Sequence, residues 1–230
     1  MQPLLDALLN ALRLLLAGDA ALLEIVLLTL QVTGGALLIA VLLGVPLGAA
    51  LGLRERAPAE GCLLPLIYTG MGLPPVVVGL CVYLLLSNRG PLGAWGWLFT
   101  PAGMIVAQVI IALPLVIGLT LTAVRSVDPA LRLQIRALGA TRWQLAWAVL
   151  REARLSVLAA VVAAFGAIIS EVGAVILVGG NIEGQTRVLT TAIVLETRQG
   201  NFALALALGI ILLALAFGAN AAFYWLERGR

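Results

Sequence analysis

The stretch "RSVDPALRLQIRALGATRWQLAWAVLREARLS", residues 125–156, sets six of the chain's 14 basic groups between segments that are almost wholly apolar. Six arginines against Asp128 and Glu152 give residues 125–155 a net charge of +4, more than the +3 of the whole chain. Asp128-Pro129 supplies an N-cap and a first-turn proline, Ala130 to Leu138 follows at helical spacing, Gly139 interrupts, and Thr141 to Leu150 resumes. The pattern predicts two short helices hinged at a glycine. Leu131, Leu138, Trp143, Leu145 and Trp147 are too apolar for a purely solvated loop and call for a protein or membrane surface to bury against. A loop that only sets topology through its arginines is the plainer alternative.

Outside this stretch the chain reads as lipid-soluble. Of its 230 residues 62% are hydrophobic and 11% charged, with a mean hydropathy of +1.11, against roughly a quarter charged in soluble domains. Segments of about 20 apolar residues are what a bilayer demands. Five satisfy it: Ile25 to Leu53, Gly61 to Asn88, Gly90 to Val124, Leu155 to Ile182 and Gln199 to Leu226. In the third, "GPLGAWGWLFTP" reads as an interfacial loop with Trp95 and Trp97 in the aromatic belt, the helix starting near Pro101. Residues 3–17, where Asp6, Asn10 and Arg13 form one polar stripe, read as an interfacial helix, with a frayed tail as the plainer alternative, and not as a secretory leader. The expectation is an all-α integral membrane protein, one transmembrane domain over 1–230, with about five spans and that N-terminal helix. With the N-terminus outside and the C-terminus in the cytoplasm, ten arginines fall inside and Arg13, Arg89, Arg187 and Arg198 outside. Residues 181–201 then form an external loop.

What the chain lacks narrows its chemistry. Neither lysine nor histidine occurs in it, which disfavours a P-loop ATPase and imidazole-based zinc or acid–base sites. Cys62 and Cys81 stand nineteen residues apart, about 28 Å on a helix against the roughly 6 Å a disulfide needs, and are expected as free, buried thiols. Gly44, Gly48 and Gly52, four apart on one face, permit close helix approach within the subunit or between two copies. Pro46, Pro65, Pro74, Pro75 and Pro114 mark hinges or ordinary kinks.

On the glycine-centred run Arg136-Ala137-Leu138-Gly139-Ala140-Thr141-Arg142-Trp143, the chain resembles permease subunits of bacterial binding-protein-dependent ABC importers. Their cytoplasmic loop docks as a coupling helix on an ATPase subunit. Leu133, Gln134 and Ile135 stand where that family has Glu-Ala-Ala, and "LREARLS" replaces its Leu-Pro ending. The blocks "SEVGAV", "VGGNI", "TRVLTTAIVLET" and "GNF" in residues 151–213 look like the tungstate branch, a relative of the molybdate and sulfate permeases. This resemblance implies a type I ABC importer fold and a working unit of two copies of this chain, two ATPase subunits and an external substrate-binding protein. ATP and Mg would sit on the ATPase, with no cofactor in this chain, no metal, no catalytic residue and no nucleic acid partner. Molybdate or sulfate are alternative cargoes. An ion-coupled secondary transporter is the rival class, disfavoured because Glu171 is the one ionisable group deep in a span and no clear repeat is visible. A membrane enzyme has neither histidine nor a paired carboxylate to work with.

An oxyanion pathway should offer donors and positive helix ends, not bare carboxylates, so Glu171 is not assigned as a ligand. It lies seventeen residues beyond Arg154, about 25 Å along a helix crossing a core of about 30 Å. The overlong segment predicts a bend near Gly173, with Ser170 and Glu171 capping the freed amides and Arg187 as the first-choice partner of Glu171. Thr29, Thr33, Thr69 and Gln108, with Thr120, Thr122 and Ser170, are the pathway candidates, Ser and Thr having the alternative of bonding their own backbone. Arg187 and Arg198 are candidates for contacting acidic groups on a binding protein, or are simple external caps.

Overall fold

The computed structural model describes Ala11, Arg13 and residues 20–54 and 60–228. The interfacial helix expected over 3–17 lies outside these, apart from Ala11 and Arg13. Among the described residues the chain is helical throughout: α1 (Ala20–Leu53), α2 (Glu60–Met71), α3 (Pro75–Leu86), a 3-10 turn (Gly93–Trp95), α4 (Pro101–Arg125), α5 (Pro129–Ala137), α6 (Arg142–Glu152), α7 (Arg154–Ile169), α8 (Gly173–Gly179), α9 (Leu189–Gln199) and α10 (Phe202–Arg228). Helices α1, α4 and most of α10 are each long and apolar enough to cross a membrane.

The second and fourth expected spans are broken. Helices α2 and α3 meet at 99°, so Gly61 to Asn88 is not one continuous rod; each half has 12 residues, about 18 Å, too short to cross alone. The cause is local: Pro74 and Pro75 have no amide to donate, and Pro74 steers Leu73 away from the helical region. Gly72 and Leu73 instead donate to the carbonyls of Thr69 and Gly70, closing a turn. Pro46, Pro65 and Pro114 lie inside continuous helices, so of the prolines predicted as hinges or kinks only the 74–75 pair breaks the chain. The break after Ile169 falls where the overlong segment predicted it.

Helix α4 is the hub, packing against α1, α2, α3, α7 and α8. It is seeded by Thr100, whose hydroxyl accepts from the Gly103 amide with Pro101 in the first turn. The α1–α4 seam answers the glycine ladder: a Cβ on Gly44, Gly48 or Gly52 would fall within 2.6–2.8 Å of Val116, Ile117, Thr120 or Val124. The ladder therefore serves packing inside the subunit. The core is built of small and branched side chains, Ala36, Ala40, Ala107, Ala112, Ala164 and Ala174 among Val and Ile, as expected where association depends on close van der Waals contact instead of exclusion from water.

Cys62 and Cys81 are free, as expected, but exposed and not buried. In a chain whose surroundings are hydrocarbon, apolar side chains face outward without cost, so hydrophobicity alone did not place them. Trp95 and Trp97 pack in a tilted contact, ring centroids 4.7 Å apart, in the loop before α4.

Candidate functional site

Two breaks face each other. Helix α3 starts at Pro75 and α8 at Gly173, and the two helices touch backbone to backbone: a Cβ on Gly79 would stand 2.5 Å from the Ala174 Cα, and one on Gly173 would collide with the Val76 side chain. Glu171 turns into this junction. Its Oε1 accepts from the Ala174 amide at 2.9 Å, meeting one of the orphan donors of the α8 N-terminus, while its carbonyl accepts from the Thr190 hydroxyl of α9 at 2.9 Å. Ser170 does the opposite of what the sequence suggested. It donates back to the carbonyls of Gly166 and Ala167, closing the C-terminal end of α7 instead of capping α8.

Arg187 is not the partner of Glu171. Its Nη1 pairs with Glu183 Oε2 at 3.3 Å, an i,i+4 neighbour, whereas the carboxylate of Glu171 is occupied by a backbone amide in its own loop. Proximity along the chain won over the longer-range pairing. Arg187 lines a crevice of about 310 Å³ with Glu183, Glu196 and Asn201, between the start of α1 and helices α9 and α10; Arg198 is exposed near the end of α9.

Of the pathway candidates, Thr29 and Thr33 lie on α1, Thr69 on α2 and Gln108 on α4. Thr29 is buried; its hydroxyl donates to the Ile25 carbonyl and accepts from the Leu189 amide, tying α1 to the start of α9. Thr33 is buried on the same helix and Thr69 is exposed on α2. Gln108, in the hub helix, donates from Nε2 to the Ile168 carbonyl at 3.0 Å, one residue before the end of α7, while its Oε1 is buried without a partner. Thr186, which the sequence did not single out, orders the turn after α8: it donates to the Gly179 carbonyl and accepts from the Ile182 amide, across Gly180 and Asn181 with φ of 75° and 53°.

At the arginine-rich end the loop forms the two helices its sequence predicted. Asp128 caps α5 through the Ala130 amide. Gly139 holds φ at 80°, a left-handed value natural to glycine. Thr141 and Gln144 make a reciprocal capping box at the start of α6. The apolar residues divide by face. Leu145 and Val149 are buried with Ala49, Val124 and Val127, and Leu131 and Ile135 pack against them, so one side of the pair is fused to the ends of α1, α4 and α7. Leu138, Trp143 and Trp147 point away, 88%, 86% and 72% exposed. Arg132 was missed by sequence reading: its Nη2 donates to the Val124 carbonyl and its Nη1 to the Gly52 carbonyl. Burial, reinforced by Arg136 and Arg125, lowers its pKa from the ordinary value.

The sequence profile described as "Binding-protein-dependent transport system inner membrane component" matches residues 44–230, the coupling-like loop and both broken spans included. This chain belongs to that family. The permease is 46% identical over 198 residues to a probable anion ABC transporter permease protein of Haloferax volcanii, covering 84% of this chain and 85% of that one. It is 37% identical over 217 residues to the tungstate uptake system permease protein TupB of Peptoclostridium acidaminophilum, covering 94% and 95%. Its fold superposes with a TM-score of 0.78 on a chain of the bacterial alginate ABC transporter in complex with alginate pentasaccharide-bound periplasmic protein, at 19% identity, over 99% of the permease and 88% of that chain. The permease is thus a multi-pass transport component with the type I importer fold, and its apolar, exposed loop face belongs to the part of the chain that the family profile covers.

Proposed function

We propose that the permease conducts tungstate, as one of two identical subunits driven by two copies of a separate ATPase and fed by an external binding protein. The observation that carries the reading is the loop: Leu138, Trp143 and Trp147 stand exposed on a helix pair whose other face is built into the ends of three membrane helices. An apolar patch so placed is a docking surface for a protein that moves, and a rigid pair hands that movement to the spans. The arginine bias puts this face in the cytoplasm, with residues 181–201 outside.

The cargo class is supported by relatedness to tungstate and anion permeases. The cargo passes beside the stacked breaks of α2–α3 and α7–α8. Leu73 and Pro74 are exposed there, and irregular backbone at membrane depth is tolerated only against protein or a wet cavity; a second copy lining a shared path supplies both.

The test is to reconstitute the permease with its ATPase in proteoliposomes and add binding protein loaded with tungstate, molybdate or sulfate. Tungstate should stimulate ATP hydrolysis and accumulate inside. Stimulation by sulfate alone would reassign the cargo, and no stimulation by any oxyanion would overturn the reading.

A further inference from the structure

Arg132 starts on α5, the first helix of the loop, and ends on the backbone of two membrane helices. Its guanidinium donates to the Gly52 carbonyl in the last turn of α1 and to the Val124 carbonyl in the last turn of α4. Carbonyls in a last turn lack in-helix donors, and the C-terminal end of a helix carries partial negative charge. One cation therefore bridges two helix ends, joining the Val127 amide on the Val124 carbonyl. The ends are close enough for this because Gly52 has no side chain: a Cβ there would meet Val124 Cγ1 at 2.7 Å. The charge is held at a cost, since Arg132 is half-buried beside Arg125 and Arg136, and its Nε is buried without a partner. A group needed only for solubility would not be placed here, and the apolar contacts of Leu131 and Ile135 already fasten α5 to the bundle.

We propose that Arg132 is the positioning residue that makes the loop drive α1 and α4 as one unit, its two-pronged contact keeping both helix ends in register with the helix pair. The inference rests on the coupling role proposed for the loop. Both acceptors are main-chain atoms, so the hydrogen bonds are removed without disturbing the α1–α4 seam by changing the donor, Arg132. A lysine offers a compact charge without the planar fork, and serves one carbonyl well but not both.

The test uses the full complex of permease, ATPase and binding protein in proteoliposomes, measuring ATP hydrolysed per tungstate moved. Arg132→Gln should raise that ratio at least about tenfold, the low end of the scale for lost charge-assisted hydrogen bonds, with ATPase still bound; Arg132→Lys should fall between. A wild-type ratio in Arg132→Gln overturns the proposal. Should that variant fail to assemble, spin labels at Arg54→Cys and Ala130→Cys, in a chain carrying Cys62→Ser and Cys81→Ser, decide instead. A label separation that stays fixed between nucleotide-free and ATP-bound complexes supports the register, and one that changes overturns it. ATPase that never binds the wild-type loop would sink the coupling reading itself, an outcome distinct from either.

Discussion

Gly48→Ala adds one methyl group where the structure has no room for it. The new Cβ would stand 2.6 Å from the Ile117 carbonyl oxygen, 2.8 Å from Thr120 Cβ and 3.2 Å from the Leu121 amide nitrogen. Ordinary contact starts at 3.4 Å, so α1 and α4 must part by about 0.8 Å, the shortfall at the nearest atom. Two of the three obstacles are backbone and cannot rotate away, and the same seam is held tight by Gly44 and Gly52 a turn to either side. Overpacking of this kind costs about 1–3 kcal/mol, which for a chain of this size lowers the melting temperature by roughly 2–12 °C. The assay is thermal unfolding of the detergent-solubilised protein followed by tryptophan fluorescence, with Gly34→Ala as the paired control. Gly34 is on the same helix with nothing within 4 Å of its would-be Cβ, so alanine there should be neutral or stabilising by up to about 1 kcal/mol through helix propensity. If Gly48→Ala melts with Gly34→Ala, the close approach of α1 to α4 does not hold the bundle together and the reasoning fails.

Three further outcomes are expected. Glu171→Ala removes the acceptor for the Ala174 amide and should cost about 0.5–2 kcal/mol, whereas Glu171→Gln keeps an oxygen there and should lose far less; equal loss in both, measured by denaturant unfolding, would mean that charge and not the cap matters. Thr29→Val strands the buried Leu189 amide at about 1–3 kcal/mol, read as faster hydrogen exchange at the start of α9. Trp143→Ala should leave stability within about 0.5 kcal/mol but weaken ATPase binding by about 2 kcal/mol or more, as loss of an exposed aromatic anchor does; pull-down of the ATPase at wild-type strength would refute the docking face.

Features set by local chemistry were legible in the residues themselves. Asp128-Pro129, Gly139 and Thr141-Gln144 act within three or four residues of themselves, and α5 begins and ends, and α6 begins, where these residues sit. The glycine ladder was legible as a contact surface, though not whose, because the same small-residue stripe suits a partner helix of either origin. Long-range choices were not legible. Nothing in the spacing says that Arg132 reaches Gly52, eighty residues earlier, or that Arg187 prefers Glu183 to Glu171. Burial of the cysteines was misjudged because hydrophobicity predicts an inside only where the outside is water. The Pro74-Pro75 pair is a breaker legible in the sequence, but a hinge and a kink look alike there; the 99° angle is visible only in the fold, where α3 lies against α8.

The backbone contact of α3 with α8 limits how the protein can open. With Gly79 against the Ala174 backbone and Gly173 against the Val76 side chain, neither short helix can slide along the other without a clash, since packed interiors do not deform smoothly. The two interruptions therefore share one mechanical degree of freedom. A displacement at Pro74 is felt at Glu171 in the same stroke, and a working unit of two copies, as proposed above, would have two moving parts to synchronise, not four.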